Sequence, residues 1–440
     1  MSLMREATKH ACLFVLLLSG ACSSGSSKSD PDTSADGGEA TTSGGSSSGG
    51  SASASAGKSS SSGGKNSSAG STGSAGKGSG TAGSQASGGA PPGDGEYLIP
   101  NPLVSKDKTV DSSPDGGEVA FDGLWDFGNT WRAGPKGWLK INVGKGPTKL
   151  LFLWHTDSTP DYTIDPEINF GAPTAYVVEV SPTGADGSWT KVAEVTGAPD
   201  DVTYRSRAHS FDFTGMSYVR WTLNKVVSGQ GNPDAQINEI EIHDISKGSE
   251  DTWAVVGLGQ SRSTYHGHPG MFPELIHAAH PAYYPALIDL AEAGGQAKDL
   301  VNSIDTLLEL NPDFHFWILA YGVVDAENNR SPAETNFKAS MQKVIDKLKA
   351  AGKVPLFPRI EKLTDGNHTT TNDFNAVIDE LVTANDLLPA PDLYALFSEK
   401  PELLCVTDCE EGHKGLDFSP EGETAVNELW ATTLDPLYAP

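Results

Sequence analysis

The sequence predicts two folded parts of different class, an all-β sandwich followed by a three-layer α/β/α unit with a parallel sheet, carried on a disordered Gly/Ser linker. Three observations predict it. Residues 23–93 are almost entirely Ser, Gly, Ala and Thr, and such a stretch cannot bury enough apolar surface to offset its ordering entropy. From Tyr97 to Ser246, short alternating apolar runs are separated by Gly, Pro and Asp turns, the pattern of a sandwich or jelly roll. From Asp251 onward, strand-like runs alternate with helix-length periodic segments, which indicates a parallel sheet covered on both faces.

The N-terminal elements read as export and tethering. Arg5 and Lys9 precede a short apolar core from Cys12 to Leu18, and Leu18-Ser-Gly-Ala21 leads into Cys22. The run is too short to span a bilayer and has the order of a secretory signal. Small residues before the cysteine are similar to a lipoprotein signal, which implies residues 1–22 as leader and Cys22 as the lipidated residue; plain secretion is the alternative. Ser23 suits release to an outer membrane or cell surface. Residues 23–93 then form a tether with a root-mean-square span of roughly 45 Å. In an oxidising compartment, Cys405 and Cys409 are expected to form a local disulfide.

The formal charge of −26 excludes nucleic acid and anionic lipid headgroups as natural partners and favours a neutral carbohydrate or cell-surface polymer. No cofactor motif is expected.

In the all-β part, assigned to residues 94–248, expected strands are Trp138–Val143, Lys149–His155, Ala175–Ser181, Trp189–Val195, Tyr218–Asn224 and Gln236–Asp244. Ala120-Phe-Asp-Gly123, Trp131, Trp138-Leu139-x-Ile141, Tyr176–Ser181, Tyr218-Val-Arg-Trp221 and Ile237–His243 resemble a discoidin-type, galactose-binding-like domain. That resemblance implies ligand contacts from loops at one end of the sandwich. Trp125, Phe127, Trp131, Tyr162 and Tyr204 are the aromatic candidates there, since a planar ring stacks on a sugar's apolar face. Asp157, Asp161, Asp165 and Glu167 make an acidic loop that offers carboxylates to Ca²⁺ without EF-hand spacing. Trp189 and Trp221 are expected in the core.

In residues 249–440, strands are expected at Trp253–Leu258, Ala286–Leu290, His315–Tyr321 and Val354–Pro358. Helices are expected at Phe272–Ala279, Ala297–Leu310, Ala333–Ala351, Phe374–Ala384 and Glu421–Thr432, with Pro420 suiting the first turn of the last. Asp251-Thr-Trp253, Tyr284-Pro-Ala286, Leu319-Ala-Tyr-Gly322, Gly352-Lys-Val-Pro355, Phe374–Glu380 and Ser419-Pro-Glu-Gly422 resemble SGNH (GDSL-type) hydrolases, a family of esterases and carbohydrate deacetylases. The resemblance implies a serine nucleophile, an Asp-x-x-His base and an oxyanion site of Gly and Asn at the C-terminal ends of the strands.

Those positions are altered. Without a gap the nucleophile's place falls on Gly259; a two-residue insertion brings Ser261 there instead. Val324 stands where the Asn amide is expected, Lys414 where the Asp is, and Asp417 where the His is. An aspartate, with a reference pKa near 4, is a feeble base for a hydroxyl, and valine donates no hydrogen bond. Ser261 as nucleophile with His413 as base is the rescue arrangement. Lys414 and Asp417 could instead form an ion pair. His266, His268, His277 and His280 form a cluster in which His277 and His280 share a helical face, with capping or metal ligation as alternative roles. The expected function is therefore a surface-tethered glycan or polymer binder whose hydrolase-like part has lost catalysis. The alternatives are an active esterase or deacetylase on carbohydrate esters, and a structural envelope protein.

Overall fold

A computed structural model describes residues 97–123, 130–156, 172–196, 206–227, 234–257, 271–291, 295–327, 332–407 and 414–438. Residues 80–440 form one compact unit. Cys22, the tether, Trp125, Phe127, Asp157, Asp161, Tyr162, Asp165, Glu167, Tyr204, Gly259, Ser261, His266, His268, Cys409 and His413 lie outside the described residues. Among those described, no helix is long and apolar enough to cross a membrane.

The sandwich strands are β1 (Val110–Ser113), β2 (Trp131–Ala133), β3 (Trp138–Asn142), β4 (Lys149–His155), β5 (Ala172–Ser181), β6 (Thr190–Val195), β7 (Arg207–Asp212), β8 (Tyr218–Val227), β9 (Ala235–Ile237) and β10 (Glu239–Asp244). One sheet runs β1-β3-β8-β5-β6, a second β10-β4-β7, and β2 pairs with β9; all these pairings are antiparallel. The expected run Gln236–Asp244 is two strands. They separate at Asn238, whose N–H is taken by His155 O at 3.0 Å. Between the sheets, Trp154 stacks on Trp221 at 5.7 Å and meets Tyr176 edge-on at 5.9 Å. Trp221 is thus core, as expected. Trp189 is half-buried at the sheet edge, with the Arg220 guanidinium 4.3 Å above its ring.

β4 breaks the rule that a sandwich strand is apolar on one face only. Leu150, Phe152 and Trp154 point into the sandwich core, while Leu151 and Leu153 belong to the core of the α/β part. A strand buried on both faces reads as a continuous apolar run, which explains the sequence Leu-Leu-Phe-Leu-Trp. The α/β part therefore packs on the outer face of the three-stranded sheet. Leu98 N–H donates to Leu437 O at 3.1 Å and Asn101 Nδ2 to Asp251 O at 2.8 Å across this seam.

The second sheet has the order β12-β11-β13-β14, with β11 (Thr252–Gly257), β12 (Ala286–Asp289), β13 (Phe316–Ala320) and β14 (Val354–Leu356) all parallel. Its helices are α1 (Phe272–Ala279), α2 (Ala297–Leu310), α3 (Val323–Ala326), α4 (Lys338–Ala350), α5 (Thr371–Asn385), α6 (Leu393–Glu399) and α7 (Pro420–Leu434). α1 and α2 have the expected bounds. α4 begins later than expected because a π turn, Ala333–Phe337, precedes it. α6 was not expected, being a seven-residue helix, although Asp392 caps it by accepting Ala395 N–H at 2.9 Å.

Candidate functional site: the crevice at the strand ends

Because β11, β13 and β14 are parallel, the chain leaves all three at one edge of the sheet, where an open parallel sheet offers a crevice. β11 ends at Gly257, whose φ is +148° and whose Cβ, if present, would lie 2.2 Å from Ala320 O. Glycine is required there by the approach of the neighbouring strand. After β13, Gly322 takes φ +123° and opens α3. Asp325, 1% exposed, turns back to accept the Ala297 N–H at 3.0 Å. That places a carboxylate at the N-terminus of α2, where the helix dipole favours negative charge. After β14, Asn375 clamps the outgoing backbone by accepting Ile360 N–H at 2.7 Å and donating to Ile360 O at 2.9 Å.

The loop before α7 closes against this edge. Gly415 O accepts Thr364 N–H at 2.9 Å, Gly415 N–H donates to Cys405 O at 2.8 Å, and Cys405 N–H donates to Asp417 O at 2.7 Å. Cys405 itself is in a disulfide, as the sequence leads one to expect of it. Ser419 caps α7 by accepting Gly422 N–H at 3.1 Å, and Pro420 occupies its first turn as expected. The framework of the crevice is thus well ordered by hydrogen bonds.

Val324 is buried and brings no donor to the edge. Lys414 is exposed and Asp417 half-buried. Beneath Asp417 lies a residue that sequence reasoning did not single out. Glu361 is 5% exposed, and burial pushes its carboxyl up to about 7, with the negative charge of Asp417 adding to the effect. Two acids, Glu361 and Asp417, thus stand together at this edge. The same loop carries a second unforeseen feature, a hydrogen-bonded pair formed by Asp365 and His368. An Asp three residues before a His was visible in the sequence, but a polar loop gives no sign of burial.

Other expected site residues are repositioned. Trp131 is not a loop aromatic available for a sugar. It sits in β2 at 2% exposure, with its Nε1 donating to Pro114 O at 3.0 Å, because β2 pairs with β9 and carries the ring into the core. His277 and His280 each make a hydrogen bond to a neighbouring segment. His277 Nδ1 lies 2.7 Å from Tyr283 O and His280 Nε2 lies 2.8 Å from Asp435 Oδ1. Among the described residues no group of three or more His, Cys, Asp or Glu could hold a metal ion.

A second recess, of about 380 Å³, opens where the sandwich meets α1 and the segment before β12. Lys106, Glu118, Asp122, Glu239, Glu241 and Tyr284 are among its lining residues. β10 turns Ile240 and Ile242 into the sandwich core, which aims Glu239, Glu241 and His243 at the seam. His243 Nε2 lies 3.0 Å from Glu241 Oε2 and Nδ1 3.2 Å from Asn101 O. Burial and the neighbouring Glu241 hold the Glu239 carboxyl well above the usual carboxylate range. Glu239 Oε2 accepts the Gly123 N–H at 2.9 Å.

No protein-family model matches the chain, and no curated protein matches it. Solved structures do. The psychrotrophic esterase EstA from Pseudoalteromonas sp. is 13% identical over 42% of this chain and 97% of its own, with a TM-score of 0.34. A Bacillus subtilis protein solved as a structural-genomics target is 14% identical over 71% of this chain and 89% of its own, with a TM-score of 0.38. A chitosan-binding module from the chitosanase/glucanase of Paenibacillus sp. IK-5 is 20% identical over 32% of this chain and 98% of its own, with a TM-score of 0.23.

Proposed function

We propose that the chain is an exported, surface-tethered binder of a neutral glycan or envelope polymer, whose hydrolase-like α/β part has lost the serine-esterase mechanism. The observation that carries this reading is the Glu361–Asp417 pair at the strand ends. Asp417 stands where the resemblance leads one to expect the His, and the neighbouring Glu361 carboxyl, raised to about 7 by burial and by Asp417, supports the reading. Val324 removes the amide donor as well, and loss of one oxyanion donor alone typically lowers a rate by ~10²–10³. The surrounding framework is kept, with Asp325 on α2, Asn375 on the β14 exit and Ser419 on α7. A framework held in place around an altered centre fits retention for binding. The leader, Cys22 as lipid anchor and the 23–93 tether support presentation at an outer membrane or cell surface. The charge of −26 favours a neutral ligand.

The exported chain from Ser23 onward tests the reading in pull-down with insoluble cellulose, xylan, chitin and cell-envelope polymer. Depletion from the supernatant by at least one of these, surviving a salt wash, is the expected result. No depletion by any of them would contradict the reading and favour a structural envelope protein.

A further inference from the structure

The recess at the seam is built of side chains that the strand-end crevice does not use. Tyr284 lines it while only 4% exposed. Its ring packs against His277 and His243, with centroids 5.0 Å and 6.0 Å away. Its hydroxyl has no hydrogen-bond partner among the described residues. Nor is that oxygen sealed within the protein, so it opens on the recess that the residue lines.

Three carboxyls stand near this hydroxyl. Burial and the negative charges of Glu241, Glu274 and Glu239 hold it well above the usual phenol value, so it stays neutral with an oxygen lone pair to offer. Glu239 and Glu241 are themselves 3% and 4% exposed. Burying such groups is costly unless an opposite charge meets them. The Lys106 ammonium stands 5.5 Å over the Tyr284 ring, which shows that a cation is at home beside this ring. Leu103, Val119 and Phe121 add an apolar stretch to the wall. The volume, about 380 Å³, suits a compact organic molecule.

We propose that this recess binds a small aliphatic primary amine in its ammonium form, with Glu239 and Glu241 facing the charge and the Tyr284 hydroxyl accepting one N–H. The ammonium has three donors and no acceptor, which matches a wall of carboxylate and phenol oxygens. Its hydrocarbon part lies along Leu103, Val119 and Phe121. Burial and the charge of Glu241 raise the Glu239 carboxyl, and an ammonium set between the two acids offsets that repulsion. A bare metal ion is the poorer fit, because among the described residues no group of three or more His, Cys, Asp or Glu could hold one. The acidity of the chain as a whole draws cations toward the recess. This site lies at the seam and does not rest on the polymer reading; polymer pull-down and amine titration fail separately.

The exported chain is titrated calorimetrically with n-butylammonium chloride, and separately with n-butanol, tetramethylammonium chloride and calcium chloride at matched ionic strength. Saturable binding of one amine per chain is expected. Tetramethylammonium carries the charge without an N–H donor and is expected to bind ~10-fold more weakly or worse; butanol, without the charge, gives no saturable signal. Tyr284→Phe keeps the ring and removes an unpartnered hydroxyl, so the urea midpoint stays while amine affinity falls ~10-fold. Glu239→Gln removes the charge and lowers affinity ~10–100-fold. No saturable amine binding, tighter binding of calcium, equal affinity for tetramethylammonium or butanol, or affinity unchanged in either variant would each overturn the proposal. Because Glu239 accepts the Gly123 N–H and its variant could unsettle that turn, the comparison of ligands on the unaltered chain decides independently.

Discussion

At Gly422, the third residue of α7, a Cβ would lie 2.1 Å from Leu403 O. The same turn is fixed by Ser419, which caps the helix through the Gly422 N–H and donates its own N–H to Leu403 O at 2.8 Å. Alanine at 422 must push the helix start off the Leu403 backbone. Overpacking of this kind costs about 1–3 kcal/mol, so Gly422→Ala is expected to lower the urea midpoint with an unchanged slope. An unchanged midpoint would mean that the helix start shifts freely. This part of the site was legible in the sequence, because Ser-Pro-Glu-Gly is a start signal with a physical basis in capping and fixed φ. Trp131 was not legible. An aromatic among turn residues reads the same way whether its ring faces solvent or, as here, donates to Pro114 O from within the core.

The elements show where pattern reading succeeds and where it stops. α1 and α2 carry a helical period long enough to locate both ends. β7 and the two short strands β1 and β2 lack a run of comparable length, and only their pairing with β4, β3 and β9 defines them. The loop that follows β14 carries the sharpest electrostatic consequence. Glu361 keeps its proton in the folded chain up to about 7, against an ordinary value of 4.5. Between those values the folded state binds more protons than the unfolded one. The stabilisation is complete below the unfolded value and is lost as pH rises through the folded one. At 1.36 kcal/mol per unit the loss is about 3 kcal/mol at most. Asp251, pushed up to about 7 by burial despite the Trp253 and Tyr438 hydrogen bonds, acts in the same direction. The melting temperature is therefore expected to fall between pH 5 and pH 8, and Glu361→Gln to flatten that fall. A profile that the substitution leaves unchanged would remove Glu361 from the account.

For residues 80–440 as a whole, the class of each sheet was readable from hydrophobic period, but the seam between them was not. Leu151 and Leu153 were visible as apolar residues of a strand, yet nothing local said that the outer face of β4 would serve the core of the α/β part. Nor did local pattern show that Glu239, Glu241 and His243 would face inward at that seam, since alternating charge on a strand ordinarily marks a solvated face. The crevice was legible in the reverse sense. Val324, Lys414 and Asp417 are the residues that the sequence puts at the positions the resemblance marks, while Glu361 and the Asp365–His368 pair became visible only once the β14 exit was folded against the Gly415 loop. The central claim is that this edge no longer runs the serine-esterase mechanism. Intact-mass measurement of the exported chain after exposure to a fluorophosphonate tests it most directly. The account predicts an unmodified mass; a stoichiometric adduct, mapped to Ser261, would contradict it.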